Sequence, residues 1–258
     1  FTMKMLQSAI CVMGLTLSGL AQADFIGVTG DINYWSVDGD VTEHTSGSLY
    51  YDANSDQLIL DPYLNNTTKY NINRNGAFQA SLAIEHPVPM IPNVKLKYTK
   101  LDLDAQANTL FLDQANVDLD QTDLILYYEI LDNVISADVG LGLLKLDGQF
   151  KQYQFKSTND ILYKTSKVDG YNPLVYAQVG GKLPFTGFQA KAEMLYSDYD
   201  EVKITDFQAE LQYNMIQNLL VDVGAKVGYR ILNIDLDDDN DSLKMEFKGP
   251  YVGLEAHF

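Results

Sequence analysis

Histidine is the side chain best suited to moving protons near neutral pH, and this chain of 258 residues carries three, His44, His86 and His257. Hydrolysis would need one of them held by a carboxylate and facing a nucleophile or an activated water. His44 is flanked by Glu43, Thr45 and Ser46, but adjacency along a polar stretch does not make side chains converge. His86 stands among prolines, where a turn residue bonded to backbone is expected, and His257 is expected to face an interior. A second chemistry is suggested by Asp235-Leu236-Asp237-Asp238-Asp239-Asn240-Asp241 with Glu246 further on. This approximates the oxygen spacing of a calcium loop, with Asn240 where glycine is expected. Its flanks read as strands, so an acidic hairpin tip that associates loosely with divalent cations is the expectation. No catalytic, cofactor-binding or metal-ligating residue is assigned.

The larger body of chemistry is ionic. Asp31, Glu85, Lys95, Lys97, Asp123, Glu129, Lys191, Glu193, Asp206, Glu210, Asp222, Lys226, Arg230 and Glu255 all fall on the polar faces of alternating segments. If those faces enclose a narrow lumen, opposite charges must lie close together, which predicts a salt-bridged plug in preference to a polar conduit. Acids outnumber bases, so any conduit would favour cations.

The elements that position these groups are strands. Ile32 and Tyr34 share one face and Asp31, Asn33 and Trp35 the other, the period of two that marks a strand with one apolar side. The pattern returns with Phe78 to Ile84, Val94 to Tyr98, Leu124 to Ile130, Ile135 to Leu143, Phe188 to Tyr196, Phe207 to Tyr213, Leu219 to Tyr229 and Val252 to Phe258. On Val175, Ala177 and Val179 the outer face is ambiguous, because Tyr176 and Gln178 alternate with them. Val223 is read as the middle of its strand. Short turns at 86–93, 131–134, 184–187 and 214–218 alternate with longer polar links at 37–76, 104–116, 147–172 and 234–242 and a brief one near 198–203. Short turns on one side and long loops on the other predict a transmembrane antiparallel up-and-down β-barrel of about ten strands.

Residues 1–23 read as a secretory signal: a basic start at Lys4, an apolar run from Ile10 to Leu20, and Ala21-Gln22-Ala23 as the cleavage site. Residues 24–258 are the barrel domain, beginning at Asp24 after cleavage and free of cysteine, since Cys11 lies in the signal. Losing Lys4 moves the formal charge from -17 to -18. Nucleic acid, which demands a basic footprint, is excluded as a partner. The count of 17 tyrosines suits both strands and membrane interfaces.

The closing run Tyr251-Val252-Gly253-Leu254-Glu255-Ala256-His257-Phe258 resembles the carboxy-terminal signal of outer-membrane barrels, which implies recognition by the barrel assembly machinery. Pro250, awkward in a central ladder, is read as the start of the membrane-crossing part or a bulge. More narrowly, Glu85-His86-Pro87-Val88-Pro89 with Pro92-Asn93-Val94, Tyr127-Tyr128-Glu129 with Leu131-Asp132-Asn133, Leu183-Pro184-Phe185-Thr186-Gly187, and Gly249-Pro250-Tyr251 through Phe258 resemble an uncharacterised family of proteobacterial outer-membrane β-barrel proteins. The resemblance implies architecture and an outer-membrane location, with lipid and lipopolysaccharide as surroundings, and lends no activity. The expected role is structural or surface-interacting and not enzymatic. A narrow, weakly cation-preferring channel is the alternative. An outer-membrane hydrolase ranks third, because an omptin-like protease needs an exterior His–Asp pair and a lipid A hydrolase needs His and Ser together at the membrane edge.

Overall fold

A computed structural model describes residues 26–46, 48–52, 57–61, 66–88, 90–107, 114–157, 160–218, 220–238 and 241–258. The expected signal over residues 1–23, with Cys11 and the Ala21-Gln22-Ala23 cleavage pattern, and the expected first mature residue Asp24 lie outside these residues. Among the described residues twelve strands follow in order: β1 Gly27–Thr45, β2 Ser48–Asp52, β3 Gln57–Asp61, β4 Asn66–Glu85, β5 Asn93–Ala107, β6 Gln114–Asp132, β7 Ile135–Ser157, β8 Asp160–Lys182, β9 Phe188–Tyr199, β10 Val202–Gln217, β11 Asp222–Asp238 and β12 Asp241–His257. Ten of them close an antiparallel barrel in which β1 pairs with both β4 and β12, while β2 and β3 form a separate hairpin. Closure leaves no sheet edge in lipid, the condition for a sheet to cross a bilayer.

The four short turns lie at one end of the barrel, beside Gly27 and His257. Toward the other end the strands run on much further than sequence alternation suggested. In the stretches 104–116, 147–172 and 234–242, read as polar links, every described residue is strand, and so are most of the described residues of 37–76. Their polarity misleads because on strands such as β5, β6 and β7 it inverts part-way along while the side chains keep their faces; on β4 a register shift between Ile72 and Phe78 instead moves the inward set from Tyr70 and Ile72 to Ala77 and Gln79. On β5 the inward series runs Lys95, Lys97, Thr99 and then Leu101, Leu103, Ala105, Ala107, and the outward series runs Val94, Leu96, Tyr98 and then Lys100, Asp102, Asp104. The β5–β6 register is unbroken from Asn93↔Tyr127 to Gln106↔Gln114, so no bulge produces the change. What changes is the medium. At the turn end the outer face is apolar and exposed, as lipid requires, and polar groups are left for the interior. At the tall end the outer face is charged and the interior is a buried cluster including Val37, Val41, Ile72, Leu101, Leu103, Val117, Leu119, Leu144, Leu146, Phe150, Ile234 and Phe247, as in a barrel standing in water.

Aromatic side chains mark both margins of the apolar band, where a ring can rest in lipid and a hydroxyl in water. At the upper margin Tyr98 and Tyr196 donate to Asp120 and Asp198 at 2.9 and 2.8 Å. At the turn end Tyr128 donates to the Met90 carbonyl at 2.9 Å, and Phe188 packs on Tyr213 with centroids 4.9 Å apart.

Two prolines act as the ladder rules demand. Pro250 lies inside β12 where its outward face passes from Lys244, Glu246 and Lys248 to Val252 and Leu254, the start of the membrane-crossing part, and the β1–β12 ladder skips beside it from Trp35↔Tyr251 to Asp38↔Lys248 without a change of register. The Trp35 indole N–H donates to the Gly249 carbonyl there, at 3.0 Å. A Cβ on Gly249 would meet the Ser36 carbonyl oxygen at 1.9 Å, so only glycine permits the approach. Pro173 stays in register with β7, but the β8–β9 ladder reaches only to Val175↔Tyr196. Finally, β11 begins at Asp222, which makes Val223 an end residue and places Val227 further into the apolar band.

Candidate functional site: the barrel lumen

Alternation on every strand delivers its polar residues to a common interior, and the structure places the inward charges where parity assigned them. Three linked clusters result. At the inner end of the apolar core, Arg230 binds Asp206 through Nε and Nη2, both at 2.8 Å, and donates from Nη1 to Thr99 at 3.0 Å. The guanidinium also lies over the Trp35 ring, 4.7 Å from its centroid. Lys97 bridges Asp206 at 3.1 Å and Glu193 at 2.9 Å, and Lys95 pairs with the other Glu193 oxygen. Arg230, Lys97 and Asp206 are 0%, 1% and 1% exposed. Asp123, equally buried, accepts from the Gln121 amide through both oxygens, at 3.1 and 3.0 Å.

A second cluster centres on Lys226, which reaches Glu210 at 3.2 Å, Asp31 at 3.3 Å and Glu255 at 3.9 Å. Glu255 also takes Lys191 at 2.8 Å, Glu210 accepts from the Tyr251 hydroxyl at 2.7 Å, and Asp31 accepts from Ser81 and Asn33. The third cluster, nearer the turns, is acidic: Tyr127 donates to Glu85 at 2.9 Å and Gln178 to Asp138 at 2.7 Å. Between the clusters remains a cavity of about 70 Å³, and toward the turn end a wider one of about 250 Å³ is lined by Glu85, Glu129, Asp132, Asp138, Asp222 and His257 among others.

Sequence reasoning found the charges but not the neutral groups that join them. Tyr176 and Gln178, whose face was ambiguous, point inward: Tyr176 is buried against Lys95 and Glu193, and Gln208 donates to Glu193 at 2.8 Å. The chemistry of the interior is that of a cross-linked polar layer, since buried charges left unpaired are far costlier than paired ones.

Among the described residues no histidine is ion-paired with a carboxylate, although His257 shares the turn-end cavity with several acids. His44 bonds the Thr67 hydroxyl at 2.9 Å, His86 Nδ1 accepts from the Val88 amide at 3.3 Å, and His257 bonds Thr29 at 2.8 Å inside the turn-end cavity. In the acidic hairpin, Asp235 and Asp237 belong to β11, and Glu246 lies in the β12 ladder opposite Asn233 and Asp40 with its carboxylate on Lys248. Asp239 and Asn240 lie outside the described residues. Strand pairing on both flanks leaves no room for a twelve-residue calcium loop.

The fold matches the crystal structure of the outer-membrane protease OmpT from Escherichia coli over 92% of this chain and 98% of that one, with a TM-score of 0.50 at 14% identity. It also aligns with the translocator domain of autotransporter NalP from Neisseria meningitidis, over 98% and 96% of the two chains, at a TM-score of 0.42 and 11% identity. No protein-family model and no curated protein sequence matches the chain. At 14% identity the likeness to OmpT is one of fold.

Proposed function

We propose that the protein resides in the outer membrane of a Gram-negative cell as a closed, non-enzymatic barrel whose role is structural or surface-interacting. The turn end faces the periplasm and the tall end the exterior, the usual disposition of short turns and long extensions. The observation that carries this reading is the stacking of two seals in one lumen. The Arg230–Asp206–Lys97 layer is buried, and above it the interior is packed with apolar side chains. A solute would have to break several desolvated ion pairs and then cross a dry core. The acidic hairpin at the tall end, with Asp235, Asp237 and Asp241, is the place where divalent ions of the lipopolysaccharide surface would associate. Single-channel recording of the refolded protein in planar bilayers tests the reading: no steady openings are expected, and large persistent conductance overturns it.

A further inference from the structure

The barrel wall has a notch. The β7–β8 hairpin climbs to Ser157↔Asp160, but β9 and β10 turn back at Tyr199 and Val202, and β9 pairs with β8 only from Val175 downward. Among the described residues, β8 above Pro173 is therefore laddered to β7 alone. From Lys164 to Asn172 the backbone facing away from β7 forms an open edge about 30 Å long, at roughly 3.3 Å per residue. Such edges are templates for pairing with another chain. Here the edge borders a cavity of about 450 Å³, within the range of roughly 300–1,000 Å³ typical of ligand sites.

The lining of that cavity defines an occupant. Its floor is apolar, with Val168, Val202, Leu236 and Leu243 packed on or within the core. Its rim is acidic. Lys164 is already committed across the mouth to Glu43 at 2.8 Å, and the rest of the lining sets one cation, Lys167, against five acids, Asp169, Asp200, Glu201, Asp237 and Asp241. A Cβ at Gly170 would meet nothing within 4 Å, so the inward face beside the middle of the edge has room for a side chain of an added strand.

We infer that this notch docks an extended basic polypeptide, which adds to the free edge of β8 as an antiparallel or parallel strand. Backbone hydrogen bonds to Lys164–Asn172 hold it, alternate apolar side chains rest on the floor, and lysines or arginines meet the acidic rim. Strand addition supplies affinity from the main chain and specificity from alternate side chains. Pro173, lacking an N–H, stops the added strand from continuing toward the membrane. The inference rests on the surface-facing orientation of the tall end and names the class of partner that surface takes.

The test uses the full-length mature protein refolded in lipid nanodiscs and a fluorescein-labelled nonapeptide of alternating arginine and valine, followed by anisotropy. Two further peptides carry N-methyl groups at every second residue, in one phase or the other. Strand addition uses one edge of the peptide, so one phase should bind at least tenfold more weakly and the other nearly as well as the parent. The double variant Glu201→Lys/Asp237→Lys, checked by circular dichroism for an intact barrel, should also weaken parent binding at least tenfold. No saturable binding, equal effects of the two phases, or indifference to the charge reversal each overturns the inference. Peptide binding and bilayer conductance are read separately, so a conducting lumen would sink the closed-barrel reading alone.

Discussion

The buried ion cluster makes a prediction whose sign distinguishes pairing from mere burial. In Asp206→Leu, Arg230 loses both carboxylate hydrogen bonds and keeps the Thr99 hydroxyl, the Trp35 face and the attraction of the Asp123 and Glu193 carboxylates, to neither of which it is hydrogen-bonded. Lys97 still holds Glu193 at 2.9 Å, so the stranded charge is the guanidinium, which is fully buried. Removing one partner of a buried pair costs about 3–5 kcal/mol, and the residual cation–π contact offsets roughly 0.5–2 kcal/mol of that at most. Arg230→Met should be gentler than Asp206→Leu, because Asp206 retains Lys97 at 3.1 Å. The double variant Asp206→Leu/Arg230→Met removes both charges together and should return to within about 1–2 kcal/mol of the parent, since apolar replacement of a whole buried pair is often neutral or better. Urea unfolding from lipid vesicles measures all four proteins, and the sole tryptophan in the chain, Trp35, reports on this layer directly. A double variant whose loss equals the sum of the single losses would show that the charges do not act as a pair and would refute the argument.

Three other outcomes follow from the two-level barrel. Val227→Arg, on the exposed apolar face, should cost about 2–4 kcal/mol or block insertion, measured by the same unfolding titration. Above the membrane the faces exchange roles: Leu103→Asp, at a fully buried site, should cost about 2–5 kcal/mol, whereas the neighbouring Asp102→Asn on the outer face should stay within about 0.5 kcal/mol. Expression in a Gram-negative host should yield protein beginning at Asp24 in the outer-membrane fraction, and a soluble periplasmic product on fractionation would contradict both the signal and the barrel.

How much of this was legible in the sequence depended on whether polarity reports geometry. In the lower half it does: the outward series Leu124, Leu126, Tyr128 and Ile130 faces lipid, and inward Asp123 is buried. Strand number, short turns and inward charges were accessible from that alternation alone. Tyr176 was ambiguous because a tyrosine suits a lipid margin and a lumen equally, and only its partners Lys95 and Glu193 decide. The notch is not legible at all from alternation, since it arises from the difference in height between β8 and β9, a property of pairing and not of either strand.

The upper half was misread for a physical reason that carries a rule. A period of two whose apolar phase shifts by one residue normally signals a bulge or a register slip, because a slip exchanges the faces of a strand. From Thr99 to Lys100 the apolar phase shifts in this way, yet the ladder to β6 continues without interruption. The same inversion occurs on β6, where inward Val117 and Leu119 give way to Gln121 and Asp123 while outward Asp118 and Asp120 give way to Leu124 and Leu126. Two adjacent strands that invert opposite one another, as Lys100 and Asp120 do across a 3.5 Å ion pair, cannot both be bulged and still stay in register. A phase shift repeated at matching heights on paired strands therefore marks the plane where lipid ends and water begins. For this chain it turns supposed loops into wall, makes the tall end a water-soluble barrel with its own apolar core, and places that core as a lid on the charged lumen beneath.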